Sequence, residues 1–186
     1  NRALSRIEPI FKLKTPILFA HRGGVLEVPE STSRAFRYAL DTAKADVLEL
    51  DVQLTRDGRF VVWHGPDLSN VHIEGVDDRP VRRERNKIYD YDWAELDGRA
   101  WVADPDVKRL DENQIDLSGV PKEDDRRLLL LDSFLEKFPD PPLNIEIKES
   151  FNRHVNDADR RGLKDNIRAF AEILDADGSH RVKVVV

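Results

Sequence analysis

Five short apolar runs divide the chain, and most of them are nearly continuous and rich in β-branched residues. Runs of this kind are typical of strands that are covered on both faces of a sheet. The predicted strands are Ile17–Ala20, Val47–Leu54, Phe60–Trp63, Leu143–Ile147 and Val182–Val186.

Helical periodicity appears between several of these strands. The first helix is predicted between the first two strands, where Ser31 or Ser33 can cap its start. Its apolar face follows the spacing i, i+3, i+4, i+7 through Phe36, Ala39, Leu40 and Ala43. Two further helices are predicted over Asp132–Phe138, ended by Pro139, and over Arg161–Leu174. The apolar face of the last one consists of Leu163, Ile167, Phe170 and Leu174.

Alternation of strands and helices favours an α/β fold with parallel strands. One connection is too short for that pattern, because only a few residues separate Leu54 from Phe60. A parallel crossover needs about a dozen residues. This unit therefore either lacks its helix or contains a local antiparallel turn.

The stretch from Gly65 to Arg127 is polar and weakly periodic, with apolar anchors at Tyr89, Tyr91, Trp93 and Trp101. A loop of that length is unusual in a compact domain unless it has a function. We predict one domain over residues 1–186, in which segment 65–127 is an insertion over one end of the sheet.

Composition narrows the class of protein. The net charge of −6 and the pI of about 5.4 argue against a nucleic-acid partner. The densest basic run, Arg82, Arg83, Arg85 and Lys87, fits a solvated loop. There is no cysteine, which excludes disulfides and thiolate chemistry, and no apolar segment of membrane-spanning length. The compartment and the oligomeric state stay open.

Two of the strands carry acids at alternate positions. Because residues i and i+2 share a face of a strand, Glu49 and Asp51 point the same way, and so do Glu146 and Lys148. Three clustered carboxylates repel one another, and a hard divalent cation, Mg²⁺ or Ca²⁺, relieves that repulsion. The alternative is that each acid pairs with a nearby arginine at the end of its strand.

The ends of the first and third strands add groups suited to phosphate chemistry. The first ends in AHRGG, where Arg22 can donate two hydrogen bonds to phosphate oxygens and His21 can act as acid or base. His64 ends the third strand in the same way. Together with a cation, these residues form a constellation for phosphoryl transfer. His72, His154 and His180 are predicted to be structural or exposed.

In order along the chain, AHRGG, VPEST followed by SRAF, LELDVQLTRDG, FVVWH and LNIEIK resemble the glycerophosphodiester phosphodiesterase family. The resemblance implies a TIM (β/α)8 barrel and a divalent cation on Glu49, Asp51 and Glu146. It also implies His21 and His64 as the catalytic pair and Arg22 and Lys148 on the substrate phosphate. Glu30 matches a glutamate that supports the family's site.

The chain departs from the family pattern in three respects. Ser31 stands where the family usually has Asn, and Gly65 stands where it usually has Asp, a role that Asp67 could assume. A TIM barrel needs about 250 residues. With 186 residues, the chain is expected to hold the first five strands with an insertion after the third, as a fragment of the barrel.

The resemblance implies hydrolysis of a small-molecule glycerophosphodiester to sn-glycerol 3-phosphate and an alcohol. Two alternatives remain at this point. One is a lysophospholipase D or sphingomyelinase D-like phosphodiesterase, with apolar side chains of the insertion lining an acyl groove. The other is a degenerate, non-catalytic phosphate-binding module.

Overall fold

The computed structural model describes residues 16–76, 85–106, 109–111, 114–148, 162–177 and 183–185. Its strands are β1 (Phe19–Ala20), β2 (Val47–Leu54), β3 (Phe60–Val62), β4 (Val71–Ile73), β5 (Ala100–Val102), β6 (Arg109–Asp111), β7 (Gln114–Ile115), β8 (Leu129–Leu130), β9 (Leu143–Ile147) and β10 (Lys183–Val185). Its α-helices are α1 (Ser33–Asp41), α2 (Trp93–Leu96), α3 (Leu131–Lys137) and α4 (Leu163–Ala176). Short 3₁₀ turns cover His21–Gly23, Ile88–Asp90 and Asp124–Arg126.

Four parallel strands lie in the order β1, β2, β9, β10, which is also their order along the chain. The helices α1, α3 and α4 occur in the three connections between them. Sequential order with a helix before each new strand is the arrangement of a (β/α) barrel rather than of a doubly wound sheet. The described part of the chain is therefore an α/β fold that forms part of a barrel wall.

The main core lies between the sheet and these three helices. Leu48 and Leu50 of β2 are fully buried and pack with Phe36 of α1, Phe134 of α3 and Phe170 of α4. Apolar residues alternate with the acids along β2, so one face of the strand joins this core and the other face carries the acids. All three helices consequently cover one face of the sheet, and the polar side chains collect on the opposite face.

The third predicted strand runs antiparallel to the second. β3 pairs with β2 through Val52 and Val62, and β8 then pairs with β3, also antiparallel. The short hairpin Thr55–Arg59 makes this connection, and the backbone N–H of Thr55 donates to the carbonyl of Arg59. The connection that was too short for a parallel crossover is thus a β-hairpin.

Segment 65–127 has a core of its own. Val61 of β3 and Trp63, which directly follows that strand, pack with side chains of the segment, among them Ile73, Tyr91 and Leu96. Trp101 lies in a smaller cluster with Leu117 and Val120. The predicted aromatic anchors Tyr91 and Trp101 are buried there and do not line an external acyl groove. The weak periodicity of the segment has a physical reason, since the strands in its described part are only two or three residues long.

Two details of the helices differ from the sequence predictions. Thr32, rather than Ser31 or Ser33, caps α1, with its hydroxyl accepting from the backbone N–H of Ala35 at 3.2 Å. In α4, Leu163 and Ile167 are exposed on the predicted apolar face, while Phe170 is buried in the main core. The predicted strand at Val182–Val186 lies partly outside the described residues. None of the described helices combines the length and the apolar character that crossing a membrane requires.

Candidate active site

Three carboxylates converge on the polar face of the sheet. β2 and β9 pair in parallel with Asp51 opposite Glu146, so the acids of the two strands lie side by side. One oxygen each from Glu49, Asp51 and Glu146 falls within 4.8 Å of the others. The convergence that the alternating pattern predicted is present in the fold.

The acids of β2 are buried, which makes their charge costly. Asp51 is 1% exposed and Glu49 is 9% exposed. Burial raises the pKa of Glu49, and the charge of Asp51 raises it further, while the hydrogen bond from the Arg22 backbone N–H at 2.8 Å lowers it. Without a positive charge nearby, the site therefore favours the neutral, protonated form of Glu49 over the carboxylate.

Lys148 and Arg22 supply part of that positive charge. Lys148 Nζ lies 2.8 Å from Asp51 Oδ1 and contacts Glu146, and Arg22 Nε lies 3.7 Å from Asp51 Oδ2. Burial lowers the pKa of Lys148, but its contacts with Asp51 and Glu146 outweigh this, so the pKa is raised. The hydrogen bond from Lys148 lowers the pKa of Glu146. The predicted alternative of pairing with arginines is thus realised in part, by one lysine and one distant guanidinium.

The residues present fit a divalent cation. Both oxygens of Asp51 are buried, and their cationic neighbours are unequal: Lys148 Nζ lies 2.8 Å from Oδ1, whereas Arg22 Nε lies 3.7 Å from Oδ2. A buried carboxylate that is only partly compensated is costly. Oxygen donors from Glu49, Asp51 and Glu146 are also the ligands that Mg²⁺ and Ca²⁺ prefer. A bound cation would add the positive charge that Lys148 and the more distant Arg22 supply only in part to the three acids.

The loop after β1 holds Arg22 in an unusual backbone conformation. Arg22 has φ of 51°, in the left-handed region that non-glycine residues rarely occupy. Its N–H donates to Glu49, its carbonyl accepts from the Ser31 N–H at 3.0 Å, and its guanidinium donates to Glu30 at 3.0 Å. Gly23 follows with φ of 82°, and a Cβ there would lie 2.7 Å from the Cβ of Ala35. The glycine therefore lets the loop pack against the first turn of α1.

The two histidines lie at the rim of this cluster. His64 follows β3 and is half-buried, and burial lowers its pKa, as does the charge of Arg22, whereas Asp51 acts in the opposite direction. His21 begins the turn after β1 and is exposed, and its charge lowers the pKa of Glu49. The predicted catalytic pair and the predicted metal ligands thus act on one another electrostatically. A neutral imidazole at the edge of an acidic cluster can accept a proton near neutral pH.

Gln53 is a residue of this region that the sequence analysis missed. It lies on the same face of β2 as Glu49 and Asp51, is 7% exposed, and donates to backbone carbonyls around His64. The signal was available, because extending the i, i+2 pattern from Asp51 reaches Gln53.

The departures from the family pattern have structural explanations. At Gly65, a Cβ would lie 2.8 Å from the Asp67 carbonyl and 2.9 Å from Trp63 Nε1, so an aspartate there requires the turn to shift. Asp67 caps that turn, with Oδ1 accepting from the Ser69 N–H at 2.9 Å. Ser31 is fully buried with φ of 60°, a conformation that Asn adopts more readily than Ser.

Other candidate residues lie elsewhere. His72 packs against Trp101 with ring centroids 5.9 Å apart. In the basic run, Arg85 pairs with Glu95, and Lys87 donates to the Pro66 carbonyl. His154, His180, Arg82 and Arg83 lie outside the described residues.

Comparison with known proteins gives the family. The model of the glycerophosphoryl diester phosphodiesterase family matches residues 21–184. The chain therefore belongs to the glycerophosphoryl diester phosphodiesterase family, as the sequence motifs predicted. It is 30% identical over 148 residues to the lysophospholipase D GDPD3 of Mus musculus, a match that covers 76% of this chain and 36% of that protein.

Solved structures agree with the fold. A glycerophosphodiester phosphodiesterase from Agrobacterium tumefaciens superposes with a TM-score of 0.60 at 19% identity, covering 91% of this chain and 57% of that one. A phosphodiesterase from Oleispira antarctica, in complex with the product sn-glycerol-3-phosphate, gives a TM-score of 0.55 at 24% identity, covering 86% and 52%. The fold class predicted from the sequence, an incomplete TIM barrel, is confirmed. The chain spans about half the length of these solved structures and less of the mouse relative.

Proposed function

We propose that the protein is a metal-dependent phosphodiesterase that hydrolyses glycerophosphodiesters to sn-glycerol 3-phosphate and an alcohol. The observation that carries the proposal is the convergence of oxygen atoms from Glu49, Asp51 and Glu146 within 4.8 Å. Membership of the family and the product bound to the Oleispira antarctica relative support the substrate class.

Glu49, Asp51 and Glu146 would hold the cation, either Mg²⁺ or Ca²⁺. When bound, such an ion supplies positive charge that stabilises the phosphoryl oxygens during the displacement. The hydrogen bond from Lys148 lowers the pKa of Glu146, which keeps this carboxylate ionised, as a cation ligand has to be. Raised pKa values, as at Glu49, make cation binding release protons when the pH is low.

Arg22 and Lys148 would bind the phosphate of the substrate. A guanidinium has five N–H donors in a fixed fork, so Arg22 can keep its bond to Glu30 while donating to phosphate oxygens. Glu30 has a supporting role, because it fixes the orientation of that fork. Lys148 lies between Asp51 and Glu146, which places its ammonium beside the cation ligands.

His21 and His64 would transfer the protons. One histidine removes a proton from the nucleophile, which is water or a neighbouring hydroxyl of the glycerol. The nucleophile's oxygen forms a bond to phosphorus, and the bond from phosphorus to the leaving alcohol breaks. The other histidine donates its proton to that alcohol oxygen. If the glycerol hydroxyl attacks first, water then opens the cyclic phosphate with the two roles reversed.

The test uses the full-length protein with glycerophosphocholine as substrate. His21→Ala and His64→Ala are each expected to lower kcat by about 10²-fold or more, because each removes a general acid or base. Chelation by EDTA should abolish turnover, and added Mg²⁺ or Ca²⁺ should restore it. His72→Ala, which removes a histidine of β4, is the matched control and should retain kcat. Activity that survives both substitutions and chelation would contradict the mechanism.

An acylated substrate is the second candidate, and a specific observation favours it. An apolar cavity of about 260 Å³ adjoins His21 and is lined by Leu18, Phe19, Leu26 and Tyr38 among others. Leu26 is 80% exposed beside it. The mouse relative is named as a lysophospholipase D. An acyl chain would therefore lie along β1 and the following loop, rather than along segment 65–127.

Comparison of kcat/KM for lysophosphatidylcholine and glycerophosphocholine decides between the two substrates. A preference for glycerophosphocholine supports the first candidate. A preference for lysophosphatidylcholine that disappears in Leu26→Ser supports the second, because only an acyl chain needs that apolar surface. Calorimetry that detects Mg²⁺ or Ca²⁺ binding without turnover of either substrate would support the non-catalytic alternative.

A further inference from the structure

Three consecutive carbonyls of the turn after β3 face one side chain of β2. Gln53 Nε2 lies 3.2 Å from the Trp63 carbonyl oxygen, 3.3 Å from that of His64 and 2.7 Å from that of Gly65. An amide nitrogen carries two hydrogens, so the three acceptors share two donors and the Gly65 carbonyl has the shortest contact. The backbone on both sides of His64 therefore curls around one buried amide.

The position of Gln53 explains why a side chain is needed there. The regular ladder between β2 and β3 continues up to Trp63, whose N–H donates to the Asp51 carbonyl at 2.9 Å. Beyond Trp63 the strand ends, and the Gln53 amide provides donors where the ladder of β2 no longer does. Each buried carbonyl left without a hydrogen-bond donor would lower the stability of the folded protein. The interaction thus defines where the chain leaves the sheet, which is the point where His64 is attached.

Other contacts hold the far end of the same turn. The indole of Trp63 donates to the Asp67 carbonyl at 3.0 Å, and Lys87 Nζ donates to the Pro66 carbonyl at 2.6 Å. Both act on residues after Gly65. The carbonyls of His64 and Gly65 themselves accept from the Gln53 amide, so this side chain holds the near end of the turn.

We infer that Gln53 is a positioning residue, which holds His64 in place by binding the carbonyls of Trp63, His64 and Gly65. The inference rests on the proposed function, since His64 is the group whose placement matters for proton transfer. Gln53 acts through the backbone of the turn and needs no contact with the substrate. A displacement of about 1 Å in a catalytic group can cost about 10²-fold in rate.

Three substitutions separate the donor from the size of the side chain. Gln53→Met keeps the length and removes the donor, and it should lower kcat roughly 10- to 100-fold. Gln53→Glu keeps the shape but turns an acceptor toward three carbonyls, so it should lower kcat at least as much. Gln53→Asn keeps the amide and withdraws it by one methylene, and an intermediate loss is expected. In all three, KM should change less than kcat, because Arg22 and the cation ligands are unaltered.

A double-mutant cycle with His64→Ala identifies the route of the effect. If Gln53 acts through His64, Gln53→Met should cost less than about twofold once His64 is already removed. Thr55→Val is the structural control, because the Thr55 hydroxyl accepts from the Arg59 N–H in the hairpin of the same strand. It should lower the melting temperature without a comparable loss of kcat. Equal losses from Gln53→Met in both backgrounds, or no loss in either, would overturn the inference.

Failure of the proposed function is recognised separately. If the unaltered full-length protein turns over neither substrate, the proposed function fails, and the positioning role is read from crystal structures. A structure of Gln53→Met in which His64 has moved supports the inference. A structure in which His64 and the carbonyls of residues 63–65 keep their positions overturns it.

Discussion

Glu49 and Glu95 are the same residue type in opposite electrostatic settings. Glu95 lies in α2 on the outer surface, where its carboxylate accepts from Arg85 at 2.7 Å and from Arg56 at 2.9 Å. Hydrogen bonding by Arg85 lowers the pKa of Glu95 to about 2. Glu49 is buried beside Asp51, and burial raises its pKa. Two arginines pair directly with Glu95, whereas the charges of His21 and Arg22 offset the burial of Glu49 only in part.

The two settings have different structural purposes. Arg56 belongs to the hairpin between β2 and β3, and its pairing with Asp92 and Glu95 attaches segment 65–127 to the sheet. This network resembles the surface ion pairs that contribute modestly to stability. At the polar face of the sheet, the fold tolerates a buried charge that lowers its own stability. Such unfavourable placement is typical of sites whose partner is a ligand.

Glu49→Gln is expected to produce the largest effect, which is a loss of enzymatic activity. Loss of a proposed cation ligand should lower kcat/KM by about 10²-fold or more, because residues that only orient such ligands already cost about 10- to 100-fold. The metal-free variant should be as stable as the unaltered protein or more stable, since the amide removes a buried charge. Turnover of glycerophosphocholine and thermal unfolding in EDTA measure the two quantities. A fall in metal-free stability would contradict the electrostatic argument.

The pH dependence of Glu49 provides a second readout. An acid whose pKa is raised by folding contributes stability below its ordinary pKa, and that stability is lost as the pH rises through the raised value. In EDTA, the unaltered protein should lose stability relative to Glu49→Gln as the pH rises from 4 through the raised pKa. Added Mg²⁺ or Ca²⁺ should restore the unaltered protein and leave the variant unchanged.

Glu95→Gln applies the same chemical change to the other setting, and the opposite result is expected. The variant should keep its turnover and lose about 0.5–1 kcal/mol of stability at pH 7, a value limited by solvent screening of a part-exposed group. Because the pKa of Glu95 is lowered by folding, its contribution is present above the ordinary value of 4.5 and is lost as the pH falls toward about 2. Urea unfolding at pH 7 and at pH 2 measures the difference. A variant that loses turnover but no stability would erase the distinction between the two settings.

The sheet and segment 65–127 also differ in how well the sequence predicts their structure. β2 and β9 occupy the residues predicted for them, because long apolar runs with alternating acids are strong signals. Convergence of Glu49, Asp51 and Glu146 then follows from strand pairing alone. The part of segment 65–127 that the structure describes is built from very short elements, and its pairing of β4 with β5 had no comparable signal.

Features that depend on contacts between distant segments were not predictable. The strand pattern places Gln53 on the same face as Glu49 and Asp51, but it does not predict the contacts of Gln53 with a turn that begins ten residues later. The hydrogen bonds that join the left-handed Arg22 to Glu49 and Ser31 also link residues that are distant in the sequence. No local pattern encodes these contacts. The hairpin between Leu54 and Phe60 was at least anticipated as an exception, because chain length alone excluded a parallel crossover.

The site and segment 65–127 also differ in which residues adopt positive backbone φ angles. Arg22 and Ser31 in the site loops have positive φ, as does Lys44 in the loop after α1, whereas only glycines have it in the described part of segment 65–127. Ser31→Gly should therefore increase stability by a few tenths to about 1 kcal/mol. The left-handed conformation of serine costs about 1–2 kcal/mol, and glycine removes that cost. The greater freedom of glycine in the unfolded chain offsets part of the gain.

Ser33→Gly is the matched control for this smallest effect. Ser33, like Ser31, is buried, and neither hydroxyl has a hydrogen-bond partner among the described residues, but Ser33 lies in α1. Glycine at this first helical residue should cost a few tenths of a kcal/mol, less than in a helix interior, so the two substitutions should shift the urea midpoint in opposite directions. Shifts of the same sign would mean that the hydroxyl, rather than the backbone conformation, determines the stability at Ser31. The strain assigned to the site would then be confined to Arg22, where the guanidinium prevents an equivalent substitution without loss of the proposed phosphate contact.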